Sequence, residues 1–306
     1  MPSSPPPLSA LARQALEEDP ERFQCALFAP RPRREAVMVL LAVNASVARI
    51  APSVTEPVLG QMRLRWWLDT VASLGQGERA PSGHPGAEAL HELACQGVLD
   101  PTALAPMIEA RAADLEPSPF PTQDALGTYA RATAGTLSDL SVRVLGGARE
   151  APPEVARVAA RVGTAWGLLG LLRATRALAA EGRCVLPVDD LARAGVAPTD
   201  LSQPPALRAL APVCRALVER IQDTLAQARA EAHHVPTPVA APLLLTALAD
   251  PFVRRLRSTG FDLADPALAA RPARPARLAA AALGQRWRSR HASLSPANGQ
   301  QNQGLP

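Results

Sequence analysis

The chain has 306 residues, 32 basic and 28 acidic side chains, a formal net charge of +4 and 47% hydrophobic residues. Such a composition supports a sizeable core, in one large domain or two small ones, and excludes wholesale disorder. Every basic residue is arginine, which excludes chemistry that needs a lysine: a Schiff base, a pyridoxal phosphate anchor or a phosphate-loop lysine.

In chain order, helical periodicity dominates and strand alternation is nearly absent. Residues 1–7 are a proline-rich lead without the basic start and apolar run of a signal peptide. A short helix follows over 8–18, with Ser9 as its cap. Pro30 and Pro32 interrupt the next helical signal. From Arg33 onward Ala36, Val37, Leu40, Leu41, Val43, Asn44 and Val47 form a wide face at helical spacing. Pro57 opens a helix carrying Met62, Leu64, Trp66, Trp67 and Val71. The paired tryptophans read as core plus rim, with a binding platform as the other reading. A Gly/Pro/Ser loop spans 75–86, and helices are expected over 87–96 and 102–115. The prolines at 117–121 are a rigid break. Thr122 caps a helix over 124–145, ended by Gly146-Gly147, and Pro152-Pro153 opens another to about 180. Glu181-Gly182-Arg183 is a turn, 184–187 is extended, and 188–194 is a helix stub ended by Gly195. Residues 207–232 read as one long helix. Residues 239–257 read as a helix broken by Pro242 and Pro251, and 260–262 as a loop. Residues 267–288 are helical with prolines interrupting the start, and 289–306 are a disordered polar tail. Nine or ten helices without a sheet make an all-α bundle. No apolar run approaches the length of a membrane span.

Cys25, Cys95, Cys184 and Cys214 have no ligand-like spacing and read as reduced thiols. His233-His234 point about 100° apart on a helix and do not suit one metal. Arg271, Arg274, Arg277, Arg286, Arg288 and Arg290 form a basic stretch. It reads as a solvated face, or as a contact with anionic lipid or a partner. The remaining arginines are dispersed and aromatics are 3%, which argues against a nucleic-acid partner.

Several blocks carry a resemblance. They are Phe23-Gln-Cys-Ala-Leu-Phe-Ala-Pro30 with Arg33-Arg34-Glu-Ala36; Ser53-Val-Thr-Glu56-Pro57 with Arg63-Leu-Arg65-Trp66-Trp67; Tyr129-Ala-Arg131-Ala-Thr-Ala-Gly135; and Trp166-Gly-Leu-Leu-Gly-Leu-Leu172-Arg173 with Gly182-Arg183-Cys-Val-Leu186-Pro187. In this order, across roughly residues 20–260, they resemble the squalene/phytoene synthase family. The resemblance implies an all-α isoprenoid-synthase bundle around a central cavity, in a single domain at 20–288 preceded by a lead and short helix at 1–19. Active members join two prenyl diphosphates head to head. Mg²⁺ ions held by two aspartate-rich helices neutralise the leaving diphosphate.

This sequence departs from that pattern. The first motif falls on Ala48, Arg49 and Pro52, and the basic residue one turn earlier falls on Ala45. The second falls on Gly170, Ala174 and Leu178, and its glutamate falls on Ala177; its arginine remains as Arg173. Asp69, Glu56, Asp139, Asp114 and the adjacent Asp189-Asp190 are single or divergent acids that do not rebuild a cluster; Asp114 is placed to cap or to pair with Arg111. Asn44, Tyr129, Arg131, Gly135, Arg173 and Arg183 are the candidates for lining the cavity or holding an anion. Those arginines read equally as exposed, or as paired with Glu181 and its neighbours. Tyr129 reads as a buried hydroxyl with a partner.

The resemblance therefore implies a family member without catalysis, metal or cofactor. It is expected to act as a binding or assembly factor, like the phytoene-synthase-like assembly factors of respiratory complex I, or to bind a prenyl or lipid-like ligand. The expected partner is a protein at the membrane surface, and the expected location is cytoplasmic, peripheral to the inner membrane. The alternative is an active Mg²⁺-dependent transferase condensing two farnesyl or geranylgeranyl diphosphates.

Overall fold

A computed structural model describes residues 7–118, 120–146, 152–232, 235–269 and 275–292, with side chains described to residue 284. The expectations for His233, His234, Gly147, Arg271, Arg274, the lead at 1–6 and the tail beyond 292 lie outside these residues. So do the side chains of Arg286, Arg288 and Arg290.

Among the described residues there are fourteen α-helical segments and no strand. Helix α1 (Ala10–Glu18) starts where the Ser9 hydroxyl accepts the Ala12 amide, satisfying one free helix-end donor. Asp19 does the same for α2 (Pro20–Ala26) by accepting from Arg22 N. Prolines at the first or second position open α3 (Arg31–Ala48), α4 (Pro57–Gly75), α5 (Pro85–Cys95) and α6 (Ala105–Ala110). A missing amide is harmless there. Then come α7 (Gln123–Ala130), capped by Thr122, α8 (Thr136–Gly146), α9 (Pro153–Ala180) and α10 (Val188–Arg193). The chain continues through α11 (Pro204–Ala209), α12 (Ala211–Glu231), α13 (Leu245–Ser258) and α14 (Pro275–Ala292).

Long helix α9 is the axis of the bundle, packed against α7, α8, α12 and α13. By length and composition it could cross a bilayer, but its Val155, Val158, Val162, Trp166, Leu169 and Leu172 are buried inside the protein. α9 approaches the segment opposite closely, because Gly163 faces the π turn at Ala134 and the start of α8 at Ser138, and Gly167 faces Ala134 and Ala130. A Cβ on Gly163 would stand 2.3 Å from the Ala134 carbonyl oxygen, and one on Gly167 would stand 2.7 Å from the Ala134 Cβ.

Four expected helices differ in detail. Residues 102–115 divide into a 3₁₀ turn (Pro101–Leu104), α6 and a second 3₁₀ turn (Arg111–Leu115). The tighter winding eclipses residues three apart, so it sets Arg111 and Asp114 side by side. Residues 124–145 are interrupted by a π turn, Arg131–Gly135, which inserts a wider turn where α9 presses closest. Residues 207–232 break at Leu210, because Pro212 has no amide to donate one turn back and is tolerated only in the first turn of a new helix. Pro251, expected to break a helix, lies inside α13; Arg229 braces that turn by donating to the Thr246 carbonyl and Asp250 Oδ1. Pro242 sits instead in a 3₁₀ turn before it.

Candidate functional site

The end of α1, the start of α2, the Arg111 turn, the end of α7 with the π turn that follows it, and the middle of α9 enclose a cleft of about 280 Å³. Its polar wall holds Glu18, Asp19, Glu21, Arg22, Arg111 and Arg173, and Tyr129 lies at its base. Four ion pairs account for its charges. Arg22 meets Asp19 at 2.7 Å, Arg173 meets Glu21 at 3.0 Å, and Arg111 meets Asp114 at 3.1 Å. Glu18 is paired with Arg49 of α3.

The densest part is a network around Asp114. Tyr129 donates its hydroxyl to Asp114 Oδ1 at 2.7 Å. Arg111 donates to the Tyr129 hydroxyl at 2.9 Å and to Asn44 Oδ1 at 3.3 Å. Arg183 donates to the Asp114 carbonyl oxygen at 2.9 Å. Burial pushes the Tyr129 hydroxyl up from its usual pKa; Arg111 opposes that and Asp114 adds to it. It is therefore a neutral donor across the physiological range. Burial disfavours the Arg111 cation, but Tyr129 and Asp114 outweigh that and hold its pKa above the usual value. On the opposite wall Arg173 lies 5.1 Å from the Trp166 ring centroid and 5.6 Å from that of Phe252. It is held by aromatic faces on one side and Glu21 on the other.

Of the residues singled out in the sequence, Tyr129, Gly170 and Arg173 line this cleft. Asn44 and Arg183 join it through Arg111 and Asp114. Arg131 is exposed on the π turn, and Gly135 is buried with its α-carbon against Thr164 and Ala160 of α9; neither belongs to the lining. Ala45 is buried, Ala48, Ala174 and Leu178 are half-buried, and Arg49, Pro52 and Ala177 are exposed. The reading of Arg183 as paired holds, with Asp114 rather than Glu181 as its partner. Asp69 and Asp139 are taken by Arg65 and Arg143 of their own helices, and Asp190 is buried against Gln123 and Arg193. Trp67 is buried and Trp66 is 38% exposed, the core-plus-rim arrangement.

Sequence reasoning missed Glu18, Asp19, Glu21 and Arg22. They flank the helix break at Pro20, and nothing in their spacing announces that α1 and α2 would turn them into the cleft.

Mg²⁺ does not fit these residues. Among the described residues, no three His, Cys, Asp or Glu side chains are placed to share a metal ion. The cleft's own carboxylates are each engaged by a guanidinium. A Mg²⁺ site needs free oxygen donors in near-octahedral geometry, so a carboxylate already ion-paired is a poor ligand.

Arg22 also borders a small apolar pocket of about 20 Å³ between Cys25, Val37, Leu41, Ser138 and Leu245. Arg22 Nε and Nη2 and the Ser138 hydroxyl have no protein partner. The space suits one bridging water. It is far below the roughly 300 Å³ at which ligand pockets begin.

Comparison with known proteins agrees with the architecture. The squalene/phytoene synthase family model matches residues 16–284. Complex I assembly factor 6 of Bos taurus is 26% identical over 252 residues, covering 82% of this chain and 74% of that protein. The Homo sapiens protein of the same name is 25% identical over the same length and coverage. A dehydrosqualene synthase solved in complex with ligand superposes with a TM-score of 0.71 at 16% identity, over 92% of this chain and 95% of that one. A squalene synthase of Alicyclobacillus acidocaldarius gives 0.69 at 20% identity, over 82% and 93%. These two structures establish the all-α isoprenoid-synthase-type fold.

Proposed function

Because the chain belongs to the squalene/phytoene synthase family, we propose that it is a non-catalytic member whose role is to assist assembly of a respiratory complex of the complex I type. The observation that carries this reading is the closed set of ion pairs in the cleft. Head-to-head prenyl transfer must ionise a diphosphate, and that charge must be neutralised as it leaves. Where facing aspartate pairs are expected, we read Ala48 at the end of α3 with Arg49 and Pro52 just beyond it, and Gly170, Ala174 and Leu178 on α9. The nearby acids Glu18, Asp19 and Glu21 are spent on Arg49, Arg22 and Arg173. The apolar pocket beside them has no room for a prenyl chain, so a prenyl ligand is the weaker form of the binding reading.

The assembly role is supported by the two relatives named above, both complex I assembly factors, matched along most of their length. What the family fold supplies in this reading is a helical surface whose cleft charges are matched in ion pairs. The partner is a protein at the membrane, and we place the chain in the cytoplasm, peripheral to the inner membrane.

The test has two arms. Purified protein is incubated with Mg²⁺ and farnesyl or geranylgeranyl diphosphate, and pyrophosphate is assayed; the expected rate is that of the uncatalysed control. In cells, deletion of the gene is expected to lower NADH:quinone oxidoreductase activity and assembled complex I. Turnover at an ordinary enzymatic rate, roughly 1 s⁻¹ or more, refutes the non-catalytic reading, and normal complex I in the deletion strain refutes the assembly role.

A further inference from the structure

Helix α4 carries an unpartnered apolar ridge. Val58, Leu59, Met62 and Trp66 are 57%, 45%, 64% and 38% exposed. Their spacing places them on one arc of the helix, since residues four apart fall on the same face. Arg65 flanks one side of the arc and Arg63 the other at about 100° per residue. Beside the ridge lies a groove of about 310 Å³. Arg49, Arg63, Ser53, Trp66, Trp67 and His84 line it, and no acidic side chain does. Its aromatic floor is rigid: the two tryptophan rings meet edge to face at 5.2 Å, and the His84 ring is 4.9 Å from each. Arg49 is paired with Glu18 and Arg65 with Asp69, whereas Arg63 donates to the Ser53 hydroxyl and has no acidic partner among the described residues.

From this juxtaposition we infer that α4 docks on an anionic bilayer surface, with the ridge dipping into the acyl boundary and Arg63 beside the groove meeting lipid phosphate. The inference rests on the peripheral location proposed above and names the face that achieves it. Three features select lipid over a folded partner. The ridge consists of four partly exposed apolar side chains, too few for the roughly 20–30 residues a side, about 800 Å² per partner, of a standard protein interface. Its composition, aliphatic side chains with a rim tryptophan and flanking arginines, is that of an interfacial helix. Arg49 of the groove is matched by Glu18, and the unmatched Arg63 is the charge that complements phosphate.

The experiment uses the full chain and extruded vesicles, either pure phosphatidylcholine or phosphatidylcholine with about 30% phosphatidylglycerol, a strongly anionic surface. Co-sedimentation is measured at low and high salt. Wild type is expected to bind the anionic vesicles at least tenfold better than the neutral ones, and less well at high salt. Met62→Glu is expected to lower that binding at least tenfold and Arg63→Gln to remove most of the anionic preference. Leu283→Glu, an equally exposed apolar site on α14 beside the basic stretch at 277–290, is expected to bind as wild type; a loss there with Met62→Glu unaffected gives the membrane face to α14 and overturns the assignment to α4. Circular dichroism melts of each variant check that the fold is kept. If wild type binds and Met62→Glu binds equally well, the α4 face is wrong and the peripheral location survives. If wild type binds neither vesicle, both fall. A wild-type dimer in size exclusion that Met62→Glu converts to monomer would instead give the ridge to a second copy of the chain.

Discussion

Replacing Asp114 by alanine tests the network at the base of the cleft. The Arg111 and Asp114 side chains are 17% and 15% exposed, and Asp114 accepts from both Arg111 and Tyr129. Removing it leaves a largely buried guanidinium with only the Tyr129 hydroxyl and Asn44 as acceptors, and takes the partner of the Tyr129 proton. Breaking a buried pair from one side costs about 3–5 kcal/mol; the residual exposure argues for the lower end, about 3 kcal/mol. At roughly 2–4 °C per kcal/mol for a domain of this size, the melting temperature falls by about 6–12 °C. Urea unfolding monitored by circular dichroism measures the free energy, with an unchanged m-value as the check that only stability has moved. Two companions sharpen the result. Asp69→Ala breaks a pair whose side chains are 74% and 58% exposed and is expected to lie within about 0.5 kcal/mol of wild type. The double variant Arg111→Met/Asp114→Leu removes both charges and is expected to recover most of the single-variant loss. An Asp114→Ala protein within about 1 kcal/mol of wild type refutes the reading of Arg111 and Asp114 as a mutually dependent buried pair.

Gly163→Ala drives a methyl group into the Ala134 carbonyl and Ser138 of the facing segment, and is expected to destabilise by at least 1–3 kcal/mol as overpacking, roughly. Gly170→Ala, with nothing within 4 Å of its new methyl group, is expected to be neutral or to stabilise by up to about 1 kcal/mol through helix propensity; thermal melts compare the two, and equal effects would deny the close α8–α9 contact. Cys95 is exposed while Cys25, Cys184 and Cys214 are buried, and burial pushes the Cys214 thiol up to about 12. Ellman's reagent is therefore expected to titrate one thiol quickly in the native protein and all four in urea; a second fast thiol refutes the burial. Tyr129 ionises near pH 10 in the unfolded chain but keeps its proton in the fold. Above that pH the unfolded state binds fewer protons, so the stabilisation is complete below about pH 10 and is lost as pH rises. Tyr129→Phe is expected to lower stability at neutral pH yet flatten the alkaline decline, and a slope equal to wild type above pH 10 refutes the assignment.

Much of the architecture was readable from the chain, because helix punctuation is local chemistry. Ser9 and Thr122 accept amides three residues on, and Pro57 and Pro153 open helices where a lost amide is harmless. Gly182 and Gly195 end segments at φ values of 75° and 68°, a backbone region that side chains with a Cβ resist. The ordered motif blocks already implied the family and its all-α fold. The pairing of Tyr129 with a partner was also legible, since a buried hydroxyl in an apolar setting must find one.

The charge pattern of the cleft was decided only by tertiary structure. Glu21 and Arg173 are 152 residues apart, Asn44 and Arg111 are 67 apart, and Arg183 reaches Asp114 across 69. No local rule links such positions, because what brings them together is the packing of α2 on α3, of α3 on α8 and of α8 on α9. The same is true of the π turn at Arg131–Gly135, which answers pressure from α9, and of Arg49, which meets Glu18 only because α1 packs on α3. Sequence alone determined that this is an isoprenoid-synthase-type bundle and raised the reading that carboxylates are missing where Mg²⁺ is expected. The folded chain adds that the acids of its cleft are already matched to arginines, since burying a charge without a partner costs more than the fold can sustain.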